Sequence, residues 1–302
     1  MRALTKVLFL LAAAALCSSS ALADSFAYVV TGASQFGTVD LNNGAFNAIG
    51  PSLTSPSGGL VPAAGGSLLT LGVDGNLYSI NPSTGVETLI GATGIGIYAF
   101  SLAELNGIIY ATDLSNNIYT VNPVTGAATL LAATGIPPDQ HYPFTTDPSN
   151  GYTYLCDETL DGIGNSLYAT YDEIEVSPDG STFNTLNSSD LWKINPTTGI
   201  ATVISPTDLM LDGSFYLNGS LYAFFANGNP PNNFFTPQLQ LETIDLSNGN
   251  THFVTEVDPN AVFINGATPE VPEPSSLILL GTGLVALGAR ACSIYQRTQR
   301  PS

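Results

Sequence analysis

Eight carboxylates fall within 34 residues of the chain: Asp157, Glu158, Asp161, Asp172, Glu173, Glu175, Asp179 and Asp190. A run this rich in hard oxygen donors suits Ca²⁺, which takes six to eight of them, and Asp157, Glu158, Asp161, Asp172 and Glu173 are the set that would hold it. Calcium is the one cofactor the sequence suggests. The spacing Asp157-x-x-x-Asp161-Gly162 does not match a calcium-loop pattern, and a solvated acidic loop explains the same residues. Carboxylates also serve as acid and base in sugar hydrolysis when two stand about 5–10 Å apart. The sequence places no pair at that separation.

The other reactive side chains are sparse. His141 is expected to open an inner strand and His252 to lie exposed on an outer one. Cys156 is the one cysteine between the terminal segments and reads as a buried thiol. Trp192 stands where related segments carry Tyr, which makes it a packing residue. The chain contains no Gly-x-Ser-x-Gly elbow, no Cys/His ligand cluster and no phosphate loop.

Composition narrows the function further. The 302 residues are 44% hydrophobic and carry 6 Lys+Arg against 24 Asp+Glu, for a net charge of −18. Polyanions need cationic contacts, so nucleic acid and phosphate or sulfate ligands are excluded as partners. All the acids lie between Asp24 and Glu273, where Lys193 is the single basic residue. An acidic body flanked by basic ends reads as a translocated segment between two signals that face the cytoplasm.

Residues 1–23 have the layout of a secretory signal: Arg2 and Lys6, an apolar stretch from Val7 to Leu16, and the small-x-small site Ala21-Leu22-Ala23. Cleavage after Ala23 by way of the Sec translocon is expected. Cys17 follows the bulky Leu16, where a lipobox needs a small residue. At the other end, residues 268–274 form a linker with Pro272-Glu273-Pro274. Residues 275–295 are long and apolar enough to span a bilayer, and 296–302 form a basic cytoplasmic tail, with Arg290, Arg297 and Arg300 on the inner side.

This tail resembles the PEP-CTERM sorting signal of Gram-negative bacteria. The resemblance covers Val271 to Arg300 and rests on Val-Pro-Glu-Pro-Ser-Ser, the Leu/Gly-rich stretch from Leu277 to Gly288, and the basic finish. Its arginines are spread out rather than adjacent. The resemblance implies recognition by an exosortase near Pro272-Glu273-Pro274. An inner-membrane-anchored precursor would then be released or transferred to the cell surface or extracellular space, often in exopolysaccharide-producing bacteria. The signal is an address and implies no activity.

Residues 24–267 between these ends are repetitive. Leu77–Gly85, Ile118–Gly126 and Leu191–Gly199 nearly coincide around Asn-Pro-x-Thr-Gly, and Phe36–Gly44 and Leu241–Gly249 are weaker copies. The closing glycines are 41, 41, 73 and 50 residues apart. An Asn or Asp that bonds the following amides, a Pro that presets φ and a left-handed Gly make a hairpin turn. A second turn (Gly65-Gly66, Asn106-Gly107, Asn150-Gly151, Asn218-Gly219) lies upstream of four of the copies. Four short strands per unit of about 40 residues predict a propeller.

The expected fold is therefore all-β, a five-bladed propeller with six blades as the fallback. Ala261–Asn265 is expected to pair beside Phe26–Val30 and close the ring, with Asn265-Gly266 as a turn. The 73-residue gap is expected to hold an insertion at 157–189 between the second and third strands of blade four, with a shorter one at Ala226–Gln238 in blade five. Both decorate one rim, where Tyr168, Tyr171, Phe183, Phe234 and Phe235 are candidates to stack on sugar rings. The expected function is a non-catalytic binding module for exopolysaccharide or an envelope protein. The alternative is a calcium-dependent carbohydrate-active hydrolase or lyase.

Overall fold

The computed structural model describes residues 26–55, 57–96, 99–137, 146–179, 182–206, 211–227, 238–261 and 263–269. The signal segment, the 275–295 span, His141, Phe234 and Phe235 lie outside the described residues, and the side chains of Cys156, Asp157, Asp172 and Phe183 are not described. Among the described residues every regular element is a strand, and no helix is long and apolar enough to cross a membrane.

Short strands flanked by Asn, Asp and Gly turns fold into five antiparallel sheets of four. Blade one begins with β1 (Phe26–Thr31), β2 (Phe36–Asp40) and β3 (Phe46–Ala48). Blade two is β4 (Ser57–Pro62), β5 (Leu68–Gly72), β6 (Asn76–Ile80) and β7 (Glu87–Ala92). Blade three is β8 (Ala99–Leu105), β9 (Ile108–Asp113), β10 (Asn117–Val121) and β11 (Ala128–Ala133). Blade four is β12 (Thr153–Ile163), β13 (Ser166–Val176), β14 (Phe183–Ile194) and β15 (Ala201–Pro206). Blade five is β16 (Leu211–Leu217), β17 (Ser220–Asn227), β18 (Gln238–Ile244) and β19 (Thr251–Glu256). Finally β20 (Ile264–Pro269) pairs with β1 as the inner strand of blade one. The inner strands β20, β4, β8, β12 and β16 touch in that order and return to β20. The arrangement is a five-bladed propeller.

Strand alternation explains why the blades bury both faces. Val29 packs toward blade five while Val30 packs toward blade two, and Leu102 and Ala103 split in the same way between blades two and four. Each of the five interfaces between blades thereby acquires its own apolar cluster. Sheets covered on both sides need strands without a polar face, which is the pattern of the repeat.

The repeat turns form as their composition predicts. Asn81 accepts from the amides of Ser83 and Thr84 at 2.9 and 3.2 Å, and the Gly85 amide bonds the Asn81 carbonyl at 2.8 Å. Asn122, Asn195, Asp40 and Asp245 make the same turn. Gly85, at φ 67°, also sits where a Cβ would overlap the Ile49 carbonyl of blade one. Glycine is required there twice over, by the turn and by the neighbouring blade.

Three expectations need correction. First, ring closure uses Ile264–Pro269 rather than Ala261–Asn265. Val29 faces Ala267 and Thr31 faces Ile264, so Asn265-Gly266 lies inside a strand. Gly266 is needed because a Cβ would meet Gly59 of the next inner strand. Second, the inner turn of blade four is Gly164-Asn165, between β12 and β13. The segment Asp147-Pro-Ser-Asn-Gly151 is instead a sixth copy of the repeat turn, with the Ser149 amide on Asp147 at 2.8 Å and Gly151 at φ 76°. The inner strand accordingly starts at Thr153, downstream of His141. Third, 157–189 is not a loop. Most of it is ladder, because β12, β13 and β14 run 11, 11 and 12 residues and keep pairing beyond the length of the other blades.

Candidate functional site

Two features distinguish blade four from its neighbours: its long strands and one residue of its inner strand. Equivalent positions on the five inner strands are Val61, Ala103, Asp161, Phe215 and Thr268. Each lies on the side that faces the following blade, where the neighbouring position of the next inner strand is Leu102, Leu160, Ser214, Ala267 or Leu60. Four of these contacts contain at least one apolar partner. Between blades four and five the pair is Asp161 and Ser214, and the Ser214 hydroxyl donates to Asp161 Oδ2.

Asp161 is 8% exposed, and burial pushes its carboxyl up to about 7, partly opposed by the bond from Ser214. Among the described residues its second oxygen has no hydrogen-bond partner. The carboxylate lines a chamber of about 150 Å³ on the propeller axis, built from all five inner strands and including Pro62, Glu104, Tyr216, Thr268 and Pro269. These residues lie near the C-terminal ends of their strands, so the chamber sits at the end of the propeller that carries the repeat turns. Deeper along the axis the space shrinks to about 10 Å³ at Gly59, Gly213 and Gly266. That is scarcely one water, so the chamber has a floor.

Glu104 is the second carboxylate of the chamber, but it is used locally: the Gly107 amide donates to its Oε1 at 2.5 Å. It shares the side of β8 that faces blade two, whereas Asp161 faces blade five. The two acids therefore leave their strands toward different blades.

The proposed metal set is divided by strand parity. Glu158 and Glu173 are buried on the side that faces blade three, with Tyr171 opposite Glu158 in register. Asp161 is on the other side, and Asp157 and Asp172 are register partners. Among the described residues no group of three or more His, Cys, Asp or Glu is placed to share a metal ion. Of the aromatic candidates, Tyr171 is 3% exposed within the apolar cluster between blades three and four, so its ring faces are already covered. Tyr168 is half-buried toward blade five, with Lys193 Nζ 5.7 Å from its ring centroid. Trp192 packs in the blade-three interface, and its buried indole N–H has no acceptor among the described residues. His252 is exposed on β19.

Sequence reading named Asp161 for a loop site; its place on an inner strand was the missed signal. Aligning Gly59-Leu60-Val61, Ser101-Leu102-Ala103 and Thr159-Leu160-Asp161 puts an acid in a slot that is otherwise apolar.

The fold and its closing seam define a five-bladed β-propeller. Residues 270–291 match the PEP-CTERM protein-sorting motif, which implies an exported, exosortase-sorted protein made as a membrane-anchored precursor. Among curated proteins none matches the chain. Among solved structures the chain is similar to a structural-genomics protein of unknown function from Bacteroides thetaiotaomicron, at 13% identity and a TM-score of 0.48. The similarity covers 83% of this chain and 63% of that one, so the chain spans less than two thirds of that protein's length.

Proposed function

We propose that this is a cell-surface or extracellular protein whose propeller is a non-catalytic binding module for exopolysaccharide or an envelope partner. The observation that carries this reading is the extension of blade four. Its long β13–β14 hairpin runs past the other blades at the end opposite the repeat turns, where the crossings between blades also emerge. A rigid ribbon on a closed scaffold presents a recognition surface at low entropic cost. The signal segment and the apolar 275–295 span support Sec export and transient membrane attachment.

The test replaces Glu173–Ser188 by a two-residue Asn-Gly turn, leaving the Tyr171–Asp190 pair to close a hairpin of ordinary length. Binding of the mature protein to a glycan array and to purified exopolysaccharide is expected to fall at least tenfold. Undiminished binding by the shortened protein would reject the extension as the recognition surface.

A further inference from the structure

We propose that the axial chamber is a second recognition site, specific for a single cationic sugar ring: an amino-sugar unit of a polysaccharide. The proposal rests on the polysaccharide-binding reading and adds both a place and a charge to it. It begins with the departure at the interface between blades four and five. Where the other inner-strand contacts contain an apolar partner, this one holds Asp161 and Ser214, both 8% exposed. A buried carboxylate with no cation costs stability that an apolar pair would not, and such costs concentrate at binding sites.

Asp161 has one oxygen held by Ser214 while it lines the axial space. The hydrogen bond fixes the carboxylate, and folding has already removed most of its water. An arriving ammonium group therefore loses only its own hydration, which is the advantage of a preorganised site. Desolvation raises the Asp161 pKa and an ammonium neighbour would lower it again.

Size and charge select the ligand. A cavity of about 150 Å³ is filled by a group the size of benzene. The chamber measures about 150 Å³ and is floored at the glycine level, so it takes the amine-bearing edge of one terminal or side-branch ring, with the rest of the sugar at its mouth. Proline and leucine surfaces suit the C–H faces of a pyranose, and Tyr216 and Thr268 bring hydroxyl-bearing side chains to the wall. Between Asp24 and Glu273 the body carries 24 acids against Lys193 alone. Its field thus draws in cations and repels acidic sugars. The charged and titratable groups around Asp161 are Glu104 from β8, Tyr216 from β16, Tyr168 opposite it on β13, Lys193 beside Tyr168 on β14, and Glu242 on the blade-five side of the same interface. The one cation, Lys193, stands over the Tyr168 ring with Nζ 5.7 Å from its centroid and is exposed.

The experiment titrates glucosamine, glucose and N-acetylglucosamine into the full mature protein at pH 7, where the sugar amine is mostly protonated, read by saturation-transfer NMR and calorimetry. The variants are Asp161→Asn, Asp161→Leu and the shortened blade-four hairpin. Glucosamine is expected to bind at least tenfold more tightly than the two neutral sugars. Asp161→Asn, which keeps the shape and a bond to Ser214, should erase that preference, and the hairpin variant should retain it. Equal binding of charged and neutral sugars, no binding of any, or a preference that survives Asp161→Asn would overturn the proposal. Because Asp161→Asn removes a buried charge, it is expected to fold at least as stably as the parent, and a thermal melt verifies this. Loss of preference in the hairpin variant with Asp161 intact would place recognition on the extension instead.

Discussion

Asp161 is where burial and charge conflict most openly. Its folded pKa of about 7 stands above the ordinary 3.8 because burial penalises the charged form. The folded protein therefore holds this proton more tightly than the unfolded chain does. Its stability is complete below the unfolded value, declines as pH rises from about 4 to about 7, and is level above that. A shift of this size corresponds to at most about 4 kcal/mol. Asp161→Asn should remove the penalty, so the melting-temperature gap between variant and parent should be small at pH 4 and widest at pH 8. A gap independent of pH would mean that Asp161 is solvated. Tyr119 shows the milder, satisfied version of the same conflict. Burial and the acceptor Asp113, at 2.8 Å, push its phenol up to about 12, so it stays neutral and donates.

The hairpin turn is the element that organises the blades, and its glycine serves two purposes that mutation can separate. Gly107 has φ 82° with open space around it, whereas Gly85 has φ 67° and the Ile49 carbonyl in the way. Gly107→Ala should cost about 1 kcal/mol, the strain of a left-handed alanine. Gly85→Ala should cost a further 1–3 kcal/mol or so through overlap with blade one, measured by urea unfolding. Equal costs would show that the blades yield at that seam. The turns also show how far the sequence could be read. Asn-Pro-x-Thr-Gly was legible because each residue has a local reason to be there. Asn150-Gly151 misled because the same dipeptide ends an Asp147 turn of the repeat type, and only Ser149 bonding back to Asp147 tells the two apart. Polar, acid-rich 157–189 read as loop for a similar reason. Its carboxylates stand in paired strands, and register across β12, β13 and β14 is a tertiary fact.

At the scale of the whole molecule, five apolar clusters make each blade dependent on two neighbours, and β20 completes the ring. The count of five was legible from the spacing of the glycines, and closure from two half-blades at the ends; the exact closing strand was not, because it is set by contact with Gly59. Deleting Ile264–Pro269 removes Ile264 and Ala267 from the cluster between blades five and one and bares the edge of β1. That protein should associate through the exposed edge in size-exclusion chromatography, and a peptide of residues 263–269 added in trans should return it to monomer. A monomeric deletion variant would mean that the ring holds without its seam. The same seam has a consequence for sorting. The sorting motif begins at residue 270, directly after β20 ends at Pro269. The stretch that an exosortase recognises is thus joined without a spacer to the strand that latches the ring, whose rungs run from Ala27–Pro269 to Thr31–Ile264.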